Sequence, residues 1–346
     1  MPMTCKYLEN QVCIRSDGQY RLCCLSLEPD NKENIATHSP QDWHNSDFHK
    51  KTKEQLANDE WPDACRKCQA MEEVGLQSQR LKPRIYGPGL SHLDLRFSNS
   101  CNLKCMSCGP HSSSSIAEEA QSMLESGIDP VWSPIPHNNI NWANEENFDK
   151  LLDLPIQEVY LTGGEPMMVK NLDKFLERLD PSTNIRFSTN CTIWNPKIEK
   201  LLKKFDTVAM SFSLDAVDEK IEYIRYGTKW KEAEENAKRY ADFCYVNISP
   251  TISIFNAWFY DDIKEYADKM NWRLFENILY YPKWLFVKNA PESLKPQFQG
   301  IKEELLKGGD PNQIEVFKKT VTTLDKFRNI NIKDYLQPVA KAYGLD

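Results

Sequence analysis

A chain of 346 residues with 40% hydrophobic, 11% aromatic and 27% charged residues has a globular composition, enough for one large domain with an appendage or for two. Its formal charge of -7 argues against a broad nucleic-acid-binding face, which would carry a basic excess. No apolar run approaches the roughly 18 residues of a membrane span, and the opening MPMTCKYLENQVC lacks the apolar core of a secretory signal. A cytoplasmic protein without a membrane partner is therefore expected.

In chain order, residues 1–80 read as a small metal-dependent module. VCIRSDGQYRLCC (12–24) has two alternating runs around Asp17-Gly18, a hairpin signature. Residues 46–59 read as a helix capped by Ser46, ended by Trp61-Pro62 and followed at once by CRKC at 65–68. Residues 81–90, with Pro83, Gly87, Pro88 and Gly89, read as a linker. From 91 to 281 the pattern becomes strand–helix alternation, which implies a parallel sheet. Strands are expected at 92–97, 158–162, 185–188, 207–214, 245–254 and 273–279. Helices are expected at 112–126, 170–179, 196–204, 217–225 with 230–243, and 260–270. Six such units give an α/β fold of the partial (β/α)6 barrel type rather than a closed eight-fold barrel. Residues 127–147 form a long insertion of the kind that often carries function. Residues 282–346 read as a C-terminal extension with at least two helices.

Eleven cysteines stand out, and nine of them fall within the first 108 residues. A chain of this length without an export signal does not need disulfides, so the cysteines point to metal or redox sites. The strongest pattern is C-x3-C-x2-C at Cys101, Cys105 and Cys108, in the loop after the strand LDLRFSNS. Three thiolates on one loop can wrap a single centre. A cubic 4Fe–4S cluster normally takes four thiolates, so three leave one iron open to a small ligand. At the C-terminal end of a parallel strand, such a centre would sit where ligands bind in these sheets. A structural zinc site, with nearby His111 as fourth ligand, is the alternative.

CNLKCMSC after a strand, followed by LTGGEP (161–166) on the second strand, resembles the radical S-adenosylmethionine superfamily. The resemblance implies a 4Fe–4S cluster on the three cysteines, with its open iron chelated by the amino and carboxylate groups of S-adenosylmethionine. It implies that Gly163, Gly164, Glu165 and Pro166 contact the amino group; paired glycines permit close backbone approach, and a carboxylate suits an ammonium. Ser188 and Asn190 resemble the polar end of the third strand near the methionine group. Ser213 and Asp215 resemble the fourth-strand motif that reaches the ribose, and Arg225 an arginine facing the ligand's carboxylate. Taken singly, each of these is as well read as a helix cap or a surface charge. The family's aromatic before the last cysteine is Ser107 here, which leaves backbone contacts to adenine but removes side-chain stacking.

Cys5, Asp17-Gly18, Cys23-Cys24, Trp43, Ser46, Cys65-x2-Cys68 and Glu72 resemble a SPASM/twitch-type auxiliary module. That resemblance implies a second 4Fe–4S cluster on Cys5, Cys23, Cys65 and Cys68, although the module usually follows the barrel and here precedes it. Cys23 is preferred to Cys24 because neighbouring strand residues face opposite ways. Cys13, Cys191 and Cys244 read as small buried hydrophobes. A zinc ribbon is the alternative for this set.

The family reading implies reductive cleavage of S-adenosylmethionine to a 5′-deoxyadenosyl radical that abstracts hydrogen from a substrate. The auxiliary cluster would assist electron transfer, and a flavodoxin or ferredoxin would supply the electron. SPASM/twitch members largely modify ribosomally made peptides, so a peptide or protein substrate is expected. The aromatic-rich segments 132–142 and 280–286 are candidates to line its groove, or else are core. The alternatives are a radical enzyme acting on RNA or a small molecule, and a non-catalytic zinc or iron–sulfur protein.

Overall fold

The structure, a computed structural model, describes residues 3–27, 32–73, 75, 77–82, 87–135 and 141–346. Parts of the expected linker (83–86) and insertion (136–140) lie outside the described residues. Among the described residues the strands in chain order are β1 (Gln11–Ile14), β2 (Tyr20–Arg21), β3 (His92–Leu95), β4 (Lys104–Cys105), β5 (Glu158–Leu161) and β6 (Asn184–Thr189). They continue with β7 (Val208–Phe212), β8 (Arg225–Tyr226), β9 (Tyr245–Ile248), β10 (Thr251–Ile252), β11 (Arg273–Leu274) and β12 (Asn277–Ile278). The fold is α/β with a mostly parallel sheet, of the partial-barrel type. No helix among the described residues is long and apolar enough to cross a membrane.

The chain divides into two compact units, Met1–Ser100 with Asn139–Phe187 and Asn195–Val208, and Cys101–Asn138 with Ser188–Trp194 and Ala209–Asp346. In the first unit β1, β3, β5 and β6 pair in parallel, with β2 antiparallel to β1. Register and side-chain alternation together explain the face that each residue takes. The row Val12, Leu93, Val159 and Ile185 lies in register and is buried throughout, as is the row Ile14, Leu95, Leu161 and Phe187. Each such aliphatic side chain contributes about 1.5–3 kcal/mol of burial. Phe97, Phe148 and Phe175 close over the unit with ring centroids 5.1–5.7 Å apart.

The intervening row, Cys13, Asp94, Tyr160 and Arg186, points the other way and, Cys13 apart, is polar, as period-2 alternation allows. Parallel pairing of β1 with β3 joins the N-terminal residues to the main sheet, a link the reading of residues 1–80 did not anticipate. The expected hairpin around Asp17-Gly18 is present as β1 and β2, and Ser46 caps the helix Asp47–Ala57 by accepting from His49 N.

In the second unit β7, β9 and β11 pair in parallel, bringing Phe212, Ile248 and Leu274 into register. The long strands expected at 245–254 and 273–279 are each broken in two, the first at Ser249-Pro250, where Pro250 has no N–H to continue a ladder. The helix expected to reach residue 225 stops at Ile224, and the next two residues form β8. The C-terminal extension contains the helices Asn312–Arg328 and Gln337–Tyr343, held together by Phe317 and Tyr343 with stacked rings 3.8 Å apart.

Trp142, a candidate groove residue, is core. Its Nε1 donates to Arg15 O and Arg96 O, both at 2.8 Å, tying the ends of β1 and β3 together.

Glu158 on β5 lies 2.9 Å from His92 Nδ1 and accepts from Arg186 Nη1 at 3.1 Å. Burial would raise its carboxyl, but His92 and Arg186 more than offset this and hold it at about 2. A depressed carboxylate contributes stability that is present above its ordinary value and lost as pH falls toward 2. Glu158→Gln is therefore expected to cost about 2 kcal/mol at pH 6 in urea titrations, with the difference from wild type vanishing near pH 2.

Candidate active site

The second unit contains the three-cysteine loop. Its fold is set by the serine run Ser113–Ser115. Ser113 caps the helix Ser114–Glu125 by accepting from Ile116 N, and its own hydroxyl donates to Leu103 O at 2.7 Å. Ser115 Oγ donates to Cys101 O at 2.8 Å, and Ser114 Oγ accepts from Cys101 N at 3.2 Å. One helix start thus clasps the loop by its backbone rather than by its thiols.

The far side of the loop is held by antiparallel pairing of β4 with β8, which sets Cys105 opposite Arg225. Met106 N donates to Ile224 O at 2.9 Å and extends this bracket. Arg225 Nη1 lies 3.8 Å from Cys105 Sγ, and Nε lies 2.7 Å from Asp215 Oδ2, with both side chains largely buried. Burial opposes the charge on Arg225, but Asp215 and the thiols of Cys105 and Cys108 more than compensate and keep it a permanent cation. Asp215 also accepts from Thr251 N at 2.7 Å, so its carboxylate is spent on holding Arg225.

Cys108 is lowered chiefly because it accepts a hydrogen bond from Cys105, while that bond and burial push Cys105 up. Cys101 completes the group, with Asn190 Nδ2 4.0 Å from its Sγ and 3.2 Å from Asn102 Oδ1. Thr192 accepts from Asn102 Nδ2 at 2.8 Å and fixes this corner. Ser107, Ser188 and Ser213 are half-buried, and Ser213 N donates to Thr189 O. Ser113–Ser115, Asn102 and Thr192 were missed by sequence reasoning; Ser113 alone had a local signal, as a cap before an apolar helical pattern.

In the first unit, Gly163 and Gly164 lie against the backbone that leads into the loop. A Cβ on Gly164 would come within 2.1 Å of Ser100 O, and one on Gly163, at φ +117, within 2.9 Å of Ser98 O. Glu165 N donates to Ser100 O at 2.7 Å, and the buried Glu165 carboxylate accepts from Met167 N at the start of the turn Pro166–Met168. The close approach that the glycines permit is to Ser98–Ser100.

Also in the first unit, Cys5, Cys23, Cys65 and Cys68 line one cavity with Tyr7, Leu22, Lys67 and Arg80. Cys24 is exposed and does not line it. Burial pushes Cys5 and Cys23 up, and the thiol of Cys68 adds to both. Glu72 pairs with Arg80 at 2.5 Å. Cys13 and Cys191 are buried as expected, but Cys244 is half-buried rather than core, beside the exposed Tyr245 at the start of β9.

Three soft thiols on one loop, flanked by a fixed guanidinium, suit an iron–sulfur centre with one protein-free position. His111, the alternative fourth zinc ligand, is exposed. Among the described residues no three thiol, imidazole or carboxylate groups are grouped as for a single metal ion.

The model of the radical SAM superfamily matches residues 95–270, which contain the loop, the Gly-Gly-Glu-Pro turn, Asp215 and Arg225. The chain belongs to that superfamily and is a radical SAM enzyme. The family implies a 4Fe–4S cluster and S-adenosylmethionine as cofactors. Among curated proteins, the chain is similar to the GTP 3′,8-cyclase of Thermodesulfovibrio yellowstonii, 28% identical over 141 residues, covering 39% of this chain and 38% of that protein. It is also similar to the GTP 3′,8-cyclase of Syntrophomonas wolfei subsp. wolfei, 29% identical over 155 residues and covering 42% and 41%. The chain thus spans about two fifths of the length of these relatives. Among solved structures, native anSMEcpe with bound AdoMet and Cp18Cys peptide aligns with a TM-score of 0.42 at 15% identity, covering 69% of this chain and 61% of that one. Streptococcus suis SuiB bound to precursor peptide SuiA aligns with a TM-score of 0.37 at 14% identity, covering 89% and 56%.

Gly164→Ala must displace the Ser100 carbonyl. It is expected to cost about 2–4 kcal/mol and to lower the iron retained after anaerobic reconstitution, read by thermal melting and iron analysis.

Proposed function

We propose that this chain holds a 4Fe–4S cluster on Cys101, Cys105 and Cys108, binds S-adenosylmethionine beside it, and modifies a peptide or protein. The reading is carried by the in-register pairing of Cys105 with Arg225, since it sets a permanent cation beside the thiols, where an anionic ligand group can be received. When bound, such a cluster supplies one electron for cleavage of the sulfonium C–S bond, giving methionine and a 5′-deoxyadenosyl radical that takes hydrogen from the substrate.

The protein's own residues orient and shield. Arg225, aimed by Asp215, receives the ligand's carboxylate; the family resemblance assigns Gly163, Gly164, Glu165 and Pro166 to its amino end. Ser107 meets adenine through its backbone, Ser188 and Asn190 border the methionine group, and Ser213 faces the ribose. Asp215, spent on Arg225, acts as a positioning residue.

The cavity lined by Cys5, Cys23, Cys65 and Cys68 supports an auxiliary 4Fe–4S cluster, with Cys23 rather than Cys24 as ligand. The four thiols leave no protein-free position, so a role in electron transfer fits better than direct substrate binding. The SPASM/twitch resemblance of this module is what favours a peptide or protein substrate. A small-molecule substrate is the second reading, because the curated relatives that match a part of the chain carry the name GTP 3′,8-cyclase.

Iron and acid-labile sulfide after anaerobic reconstitution should be about eight each per chain, falling to about four in Cys65→Ala/Cys68→Ala. Under strong reductant the wild type should form 5′-deoxyadenosine, and Cys105→Ala should form none. About four irons in both proteins would remove the auxiliary cluster. Absence of 5′-deoxyadenosine from reconstituted wild type would overturn the radical reading. Deuterium incorporation into 5′-deoxyadenosine from labelled peptide, but not from labelled GTP, would decide the substrate class.

A further inference from the structure

The last turn of the C-terminal helix Asn312–Arg328 carries a side chain whose contacts run to the cysteine loop, far away in sequence. Arg328 Nε and Nη2 donate to the two oxygens of Glu119 at 3.0 and 2.7 Å, a bidentate pair in which each side chain is only 3% exposed. Its Nη1 lies 3.3 Å from Met106 Sδ, between two of the loop cysteines. The same guanidinium lies 4.8 Å from the centroid of the Tyr226 ring, and Tyr226 OH donates to Arg328 O at 3.3 Å. Lys104, on β4, adds a second cation 3.5 Å from Glu119. One residue of the C-terminal extension thus touches the loop, the helix that clasps it, and the strand that carries Arg225.

We infer that Arg328 is a positioning residue for the cysteine loop, and that the C-terminal extension serves as a brace that keeps the loop closed around its cluster. The planar fork is what the site needs: two donors satisfy Glu119 in parallel while a third faces the methionine sulfur. Glu119 needs this partner, because a buried carboxylate stripped of its guanidinium is strongly destabilised. The inference rests on the proposed cluster only for its consequence, since the bracing itself belongs to the protein.

The test uses Glu119→Gln/Arg328→Gln, which removes both charges and avoids an orphaned carboxylate, with Arg328→Lys as the conservative variant. Amide hydrogen exchange of peptides from residues 102–108 is measured in the full chain, and iron release to a chelator is measured after reconstitution in the Cys65→Ala/Cys68→Ala background. The double variant should raise loop exchange and iron release about tenfold, leave exchange in residues 92–95 unchanged, and be partly rescued in Arg328→Lys. Loop exchange within twofold of wild type would overturn the brace, as would a rise spread equally over the whole chain, which is what a merely structural Arg328 predicts. Increased loop exchange in a protein that binds no iron would preserve the brace and reject the cluster.

Discussion

The site depends on two residues of β4 lying antiparallel to two of β8. That short ladder fixes Cys105 opposite Arg225, and everything else about the loop can be read as support for it. A two-residue ladder cannot sustain itself. It persists because each end is anchored: Asp215 holds the guanidinium from within, and Met106 N bonds to Ile224 O just beyond the ladder. The serine clasp then fixes the opposite end of the loop. Burying the Asp215–Arg225 pair has a desolvation cost, and the added bond from Thr251 N to the carboxylate helps to offset it. What the arrangement provides is direction more than stability, a permanent cation held beside the thiols by Asp215.

The two cysteine sets use different physics to bring sulfurs together. On the loop, three thiols within eight positions need only a turn and a clasp. In the N-terminal region the four thiols come from the start of a short helix (Cys5), the segment after β2 (Cys23), and the turn and helix around 65–68. They meet only because those elements pack around Leu8, Leu22, Leu56 and Ala64. The first set depends on local backbone bonds, the second on a small core.

Much of this was legible in the sequence. All six strands of the α/β alternation are found, because apolar residues on one face and polar on the other repeat with period two, as in Val159 and Leu161 against Tyr160. The cysteine loop and the Gly-Gly-Glu-Pro turn were legible because their chemistry is compressed into a few residues. What escaped was non-local. Nothing around Gln11–Ile14 announces that it pairs in parallel with a strand some eighty residues later. No local pattern links Arg328 to Glu119, 209 positions away. The glycines were read as letting the backbone approach a ligand, whereas the approach seen in the structure is to the Ser98–Ser100 backbone, a tertiary fact. Trp142 had two readings, groove lining or core, and the structure decides for core: its indole N–H is committed to two strand-end carbonyls.

Parallel insertion of β1 beside β3 also bears on how the N-terminal cysteines can be handled by evolution or by an engineer. A cluster-binding appendage attached through a tether can be gained, lost or shuffled as a cassette. Here one strand of the segment that carries Cys5 and Cys23 completes the hydrogen bonding of the central sheet, and its Val12 and Ile14 are fully buried. Excising it would strip β3 along one side and leave a row of unpaired amides and carbonyls, a template for aggregation. Grafting it onto another barrel would require a vacant sheet edge of matching register. The N-terminal cysteines are thus woven into the scaffold, and their retention is coupled to the integrity of the sheet as well as to whatever chemistry they perform.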